Sequence, residues 1–157
     1  MGKHSSSRES CELRIDQEGI DTQSMNSTIP EPNSFNTLAK PCGSCPWRCD
    51  TVAQDIPNFD LDLAEGLANC CPDKRGMGPD FGASIFACHQ SKEGAELACA
   101  GWLAVVGHRH PGVRLAVLSQ RLDSNALQPG AGWPGLHASY LEVLEKLREN
   151  CALDDPI

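Results

Sequence analysis

The sequence predicts a small, mainly α-helical single domain with one short extended or β segment, organised around a cysteine-rich metal site. Three observations predict it: short helical periodicities after residue 40, eight of the nine cysteines in that region, and a CxxC at its head. Nine Cys in 157 residues is about 6 per cent, below a small disulfide-built scaffold but well above ordinary use. With 21 acidic against 13 basic residues the net charge is −8, which makes the chain a poor general binder of polyanions. No apolar run approaches the roughly 20 residues of a membrane span, and Met1-Gly2-Lys3-His4-Ser5 does not lead into a secretory signal. The expected location is therefore cytoplasmic. There, thiols stay reduced, and clustered Cys bind metal or do redox chemistry more often than they form disulfides.

Residues 1–40 scatter a few large apolar side chains (Leu13, Ile15, Ile20, Ile29, Phe35, Leu38) among polar ones, too few to offset the entropy of ordering. They are expected to be a disordered N-terminal tail, followed by the domain at 41–151 and a flexible end at 152–157. Asp60 is the expected N-cap of a first helix, with Leu63 and Leu67 on one face and Pro72 beyond its stop near Cys70 or Cys71. Residues 81–88 are aromatic and β-branched enough for a short buried extended segment that delivers Cys88 to its end. Ser91 is expected to cap a helix over 92–106, with Cys99, Trp102, Leu103 and Val106 on one side and Gly107 as its stop. Pro111 fits the first turn of a further helix whose apolar residues are Val113, Ala116 and Leu118. The Gly/Pro-rich stretch 128–135 must be a loop. In the last helix, Ser139 and Glu142 make a capping-box pattern, and Tyr140, Leu141, Leu144 and Leu147 make an apolar stripe.

Cys42-Gly43-Ser44-Cys45-Pro46 is the sharpest local feature, because two thiolates two residues apart can grip one metal from a tight turn, and Gly43 permits that turn's backbone. A second thiol pair, Cys88 and Cys99, supplies the remaining two ligands of a four-thiolate site. That pair has ten residues between its members instead of two, so zinc and an iron-sulfur cluster both stay open as cofactors. Cys49 extends the first pair to C-x2-C-x3-C, and His89 follows Cys88 directly; either is an alternative ligand. Cys70 and Cys71 read as a buried helix end, since free Cys packs like a small hydrophobe. Cys11 and Cys151 have no local partner. His108, Arg109, His110 and Arg114 form the only locally basic patch, read as a solvated helix end in preference to an anion site. Trp47 and Trp102 are expected to pack around the ligands. Met1-Gly2 with Ser6 and Asn26-Ser27-Thr28 match myristoylation and glycosylation patterns that arise often by chance.

Cys42-Gly43-Ser44-Cys45-Pro46-Trp47-Arg48, then Phe86-Ala87-Cys88-His89-Gln90-Ser91, then Cys99-Ala100-Gly101-Trp102-Leu103, together resemble an uncharacterised domain family of actinobacteria, other bacteria and their phages. Its pattern reads CxxCPWR, ACHxS, CxGWL, and the resemblance covers roughly residues 40–145. It implies that Cys42, Cys45, Cys88 and Cys99 belong to the shared pattern and that Cys49 does not. It implies no activity.

The leading expectation is a small intracellular metal-site domain in which thiolates staple loops that a modest core could not hold. A redox or metal-dependent enzyme is the first alternative, although the CxxC does not open a helix after a strand as a thioredoxin-like dithiol requires. A nucleic-acid-binding regulator using Arg109, Arg114 and Arg121 is the second, disfavoured by the acidic net charge. No Ser/His/Asp arrangement, phosphate-binding Gly loop or metalloprotease helix motif is visible.

Overall fold

A computed structural model describes residues 35–153 of the chain. Most of the expected tail, Cys11, the two modification motifs and residues 154–157 lie outside the described residues. Four α-helices carry the architecture: α1 (Leu61–Gly66), α2 (Ala100–Val106), α3 (Pro111–Leu118) and α4 (Tyr140–Leu153). Single turns of 3-10 helix at Ala53–Asp55, Leu67–Cys70, Gly107–Arg109 and Ser124–Leu127 join or extend them. The β content among the described residues is a set of isolated bridges. The mainly helical class with a short extended element is as expected.

The first helix starts where the sequence places it. Asp60 accepts a hydrogen bond from Leu63 N–H at 2.8 Å, satisfying one of the helix's orphan donors. The helix tightens into the 3-10 turn that ends at Cys70. Its buried face is not the one expected: Leu63 is 65% exposed, while Ala64 is buried and Leu67 packs partly against the core. The face is chosen by α4, whose Tyr140 hydroxyl donates to Ala64 O at 2.7 Å and whose Arg148 pairs with Glu65 at 2.7 Å. On α4 itself, Ser139 accepts from Glu142 N–H at 3.3 Å, and the Glu142 carboxylate returns to Ala138 N–H at 2.9 Å. The capping box is therefore shifted by one residue on its return arm. Leu141 is 48% exposed, and Val143 takes the core position expected of it.

The helix expected over 92–106 is corrected to α2 over Ala100–Val106. Residues 86–99 form a hairpin instead. Cys88 N–H donates to Leu97 O and Cys99 N–H to Phe86 O, both at 2.8 Å, with Ala87 and Ala98 bridged antiparallel between them. The reversal lies at Lys92 and Ala95, where Gly94 adopts φ +74°, a conformation costly for any residue with a Cβ. Ser91 closes the hairpin from inside: its hydroxyl accepts from Leu97 N–H at 3.0 Å and donates to Leu97 O at 3.2 Å. The extended strand buries Phe86, Cys88, Ala98 and Cys99, and that burial outweighs the helix propensity of Glu, Ala and Leu in 93–97. The expected extended segment at 81–88 is likewise shorter. Phe81 lies in a turn and is 92% exposed, and pairing begins only at Phe86. Residues 35–40 are described and attach to the same hairpin, where Thr37 bridges Ala98 in parallel and Asn36 O accepts from Ala98 N–H at 2.7 Å.

His110, expected in a solvated patch, is corrected to a core residue only 2% exposed. It N-caps α3: Nδ1 accepts from Gly112 N–H at 3.1 Å and from Val113 N–H at 3.4 Å. Since Nδ1 accepts, Nε2 carries the proton and donates to Ser84 O at 3.2 Å. Burial holds this imidazole below its ordinary pKa. The helix buries Val113 and Ala116 but leaves Leu118 81% exposed. Between α3 and α4, residues 128–135 are the expected loop, and the following residues pair back on the CxxC segment through Cys49 N–H to Gly135 O and His137 N–H to Trp47 O, both 2.9 Å.

An aromatic stack fills the centre. Trp47 lies 5.4 Å from Tyr140 and 6.0 Å from Phe86; Phe86 lies 6.4 Å from Trp102, and Trp102 meets the His110 ring edge-on at 5.2 Å. Both Trp side chains are fully buried, as expected, and Trp102 Nε1 donates to Cys70 O at 3.0 Å. Each sits within three residues of a motif cysteine, so core and candidate site are built from the same segments.

Candidate metal centre

The CxxC lies in a turn and not at a helix start. Cys45 N–H returns to Cys42 O at 3.2 Å and Arg48 N–H to Cys45 O at 3.1 Å. Gly43 is not what permits this turn: its φ is outside the left-handed region and a Cβ there would meet nothing within 4 Å. The glycine the site requires is Gly101, which sequence reading missed. A Cβ at Gly101 would stand 2.8 Å from Trp47 Cβ and 3.0 Å from Cys45 Sγ, so only hydrogen allows α2 to lie against the turn.

The hairpin explains the unusual second pair. In its register Phe86 faces Cys99 and Cys88 faces Leu97, so all four side chains share one face while Ala87 and Ala98 take the other. Cys88 and Cys99 are thus diagonal neighbours despite the ten residues between them. Cys99 then N-caps α2, which carries Gly101 and Trp102 against the CxxC turn.

The two halves meet at Cys45 and Cys99, whose sulfurs lie 3.5 Å apart in a fully enclosed position. The hydrogen bond from Cys99 holds the Cys45 thiol below its ordinary pKa against the opposing effect of burial, and the backbone N–H groups of Trp47, Gly101 and Arg48 add to the lowering. The same contact, with burial, pushes Cys99 well up. Burial raises Cys88 to about 11, with the Cys42 and Cys45 sulfurs adding to the rise, while Gln90 N–H reaches Cys88 Sγ at 3.5 Å. Cys42 is half-buried, and its sulfur lies 3.9 Å from the Ser44 hydroxyl. Arg48 is clamped by Asp50 at 2.8 and 2.6 Å and reaches Cys42 O at 3.5 Å, which brings a fixed positive charge to the Cys42 and Cys45 sulfurs.

Among the described residues no group of three or more His, Cys, Asp or Glu side chains is already arranged to hold a metal ion. One sulfur pair is assembled at ligand spacing, and Cys42 and Cys88 border it. The donor chemistry fits a soft cation: four sulfurs from two loops, backbone N–H groups directed at three of them, and a guanidinium beside two.

The alternatives are more exposed or lie in the core. Cys49 is exposed beside Gly135, and His89 is exposed. Cys70 and Cys71 are buried, and burial pushes Cys71 up to about 12, the signature of an inert packed thiol. Cys151 is half-buried on α4. Of the arginines named for nucleic-acid contact, Arg109 is turned onto Gly76 O at 3.3 Å, and Arg121 Nε donates to Ser119 Oγ at 2.9 Å. No helix among the described residues is long and apolar enough to cross a membrane.

No curated protein and no solved structure matches the chain. A family does match, over residues 37–157, a span that starts at the Thr37 bridge to the hairpin and takes in all three cysteine motifs. The chain therefore belongs to the family of unknown function DUF6283.

Proposed function

We propose that the domain is a metal-stapled module in which Cys42, Cys45, Cys88 and Cys99 hold one zinc ion. The observation that carries this reading is the 3.5 Å contact of Cys45 with Cys99, sulfurs from segments 54 residues apart. Two ligands of a tetrahedral zinc with bonds near ~2.3 Å stand about 3.8 Å apart. Cysteines on a cubane iron-sulfur cluster spread to roughly 6 to 7 Å, so the contact favours a mononuclear ion. Cys42 and Cys88, whose side chains interact with each other and with Cys45, supply the other two ligands. The ion supplies a cross-link and a double positive charge, offsetting like-charge repulsion among thiolates that the Arg48 guanidinium and the N–H groups only partly relieve. The role is structural: it pins the hairpin and α2 to the CxxC turn, adding a cross-link to the packing of Trp47 on Phe86 and against Gly101.

Metal analysis and a visible spectrum of anaerobically purified protein test this. Colourless protein with one zinc per chain is expected. A brown chromophore with iron and sulfide moves the assignment to a cluster, and folded, monodisperse, metal-free protein refutes it.

A further inference from the structure

Eight cysteines are described, all free, and they are not equivalent. Cys70 and Cys71 are buried neighbours in sequence, and a bond between adjacent residues is strained because their Cα atoms are closer than a disulfide prefers. Cys49 is exposed and Cys151 half-buried, each without a sulfur partner among the described contacts. Cys42 and Cys88 interact through their side chains, but Cys45 and Cys99 are the two that are both buried with sulfurs 3.5 Å apart, a closure of about 1.5 Å from a disulfide's roughly 2.0 Å.

Their backbones are held on both sides, Cys99 by Phe86 O in the hairpin and Cys45 by the turn to Cys42 O and by the close approach of Gly101. When a metal leaves, this pair stays together in a fully enclosed position. A disulfide is the one state of the pair that buries no charge and leaves no polar hydrogen to satisfy.

We infer that Cys45 and Cys99 are a redox latch on the metal site, closing to a disulfide under an oxidant of the peroxide class once the metal is lost. The latch rests on the metal reading for its trigger and on the sulfur geometry for its product. The Cys45 thiolate attacks one peroxide oxygen; the O–O bond breaks, Cys45 becomes a sulfenic acid, and the departing hydroxide takes the Cys99 proton to give water. The Cys99 sulfur then attacks Cys45 sulfur, the S–S bond forms, the S–O bond breaks, and the second hydroxide leaves as water with a proton from solvent. The sulfurs lose two electrons and the peroxide gains them. Of the four site cysteines only Cys42 is not buried. The product lacks two of the four ligands, so it takes up no zinc until a thiol reductant reopens it.

The full chain, stripped of metal with a chelator, is treated with hydrogen peroxide, blocked with N-ethylmaleimide and digested with trypsin without reduction. Cleavage after Lys92 separates Cys88 from Cys99, so the partner of each can be read from fragment spectra. The expected product joins Cys45 to Cys99 and is two hydrogens lighter, with loss of zinc uptake that dithiothreitol restores. Cys49→Ser should give the same product. Cys99 recovered as its maleimide adduct, bonded to Cys42 or Cys88, or spread over a mixture of partners overturns the latch. A Cys45–Cys99 bond in a chain that never takes up zinc overturns the metal reading while leaving the pair chemistry standing.

Discussion

Substituting Gly101 by Ala tests the packing of the site most directly. The new methyl would sit 2.8 Å from Trp47 Cβ and 3.0 Å from Cys45 Sγ, closer than carbon tolerates. Neither neighbour can retreat cheaply, since both are fully buried and Trp47 is confined between Phe86 and Tyr140. Overpacking of this kind costs about 1–3 kcal/mol. Ala gains roughly 0.5–1 kcal/mol over Gly from helix propensity, so the net expected loss lies between about 0 and 2.5 kcal/mol and centres near 1 kcal/mol. The shift also moves Cys45 and tilts the Gly101 N–H that supports its thiolate, and loss of such outer support typically lowers metal affinity about 10–100-fold. Urea unfolding at buffered free zinc gives the first quantity and competition with a chromophoric chelator the second. Gly43→Ala is the internal control, because its Cβ would enter open space in the same CxxC turn. A Gly101→Ala protein as stable as the parent, with unchanged zinc affinity, refutes the close-approach argument.

Further outcomes follow from the same contacts. Ser at Cys42, Cys45, Cys88 or Cys99 should each lower zinc affinity by more than an outer-shell change does, roughly 10–100-fold, whereas Cys49→Ser and Cys151→Ser should leave it within error in the same competition assay. Asp60→Ala removes the α1 cap and should cost about 1 kcal/mol in urea unfolding, with no effect on metal content. Acid should act through His110: its folded pKa lies below its unfolded value near 6.5, so the unfolded chain takes up the proton first. The stability it confers is then complete above about 6.5 and is lost as pH falls below it. His110→Asn keeps a capping acceptor and should show a shallower loss between about pH 7.5 and 5.5; equal slopes would remove His110 from the account.

What the sequence made legible was local chemistry. Asp60 announces α1 because a cap needs only the three residues after it, and Ser139 with Glu142 announces α4 for the same reason. The two thiol pairs were legible as donors. Periodicity located helix faces to within one or two positions and no better: Ala64 and Val143 take the core places expected of Leu63 and Leu141, because the choice belongs to whichever helix packs opposite. The hairpin was illegible for a stronger reason. Residues 93–97 contain good helix formers, and what turns them into a hairpin is the pairing of 97–99 with 86–88 and of Ala98 with Asn36 and Thr37, about sixty residues upstream. Gly101 and His110 were opaque likewise, since a required absence of a methyl and a ring nitrogen used as a helix cap exist only once another segment arrives.

The register of the hairpin also governs what can change there. Cys88 and Cys99 are placed by two hydrogen bonds at its base, whereas the reversal at Lys92 and Ala95 is exposed. Residues added or removed in pairs at the tip leave the alternation of faces intact, so chain length at Gly94 is a free parameter. A search for relatives written around ten intervening residues would therefore discard sequences with the same geometry, while one anchored on the flanking Phe86 and Trp102 would retain them. For the experimenter, Gly94 is the position at which a fluorophore or an affinity peptide can be spliced into the middle of the chain without touching its centre.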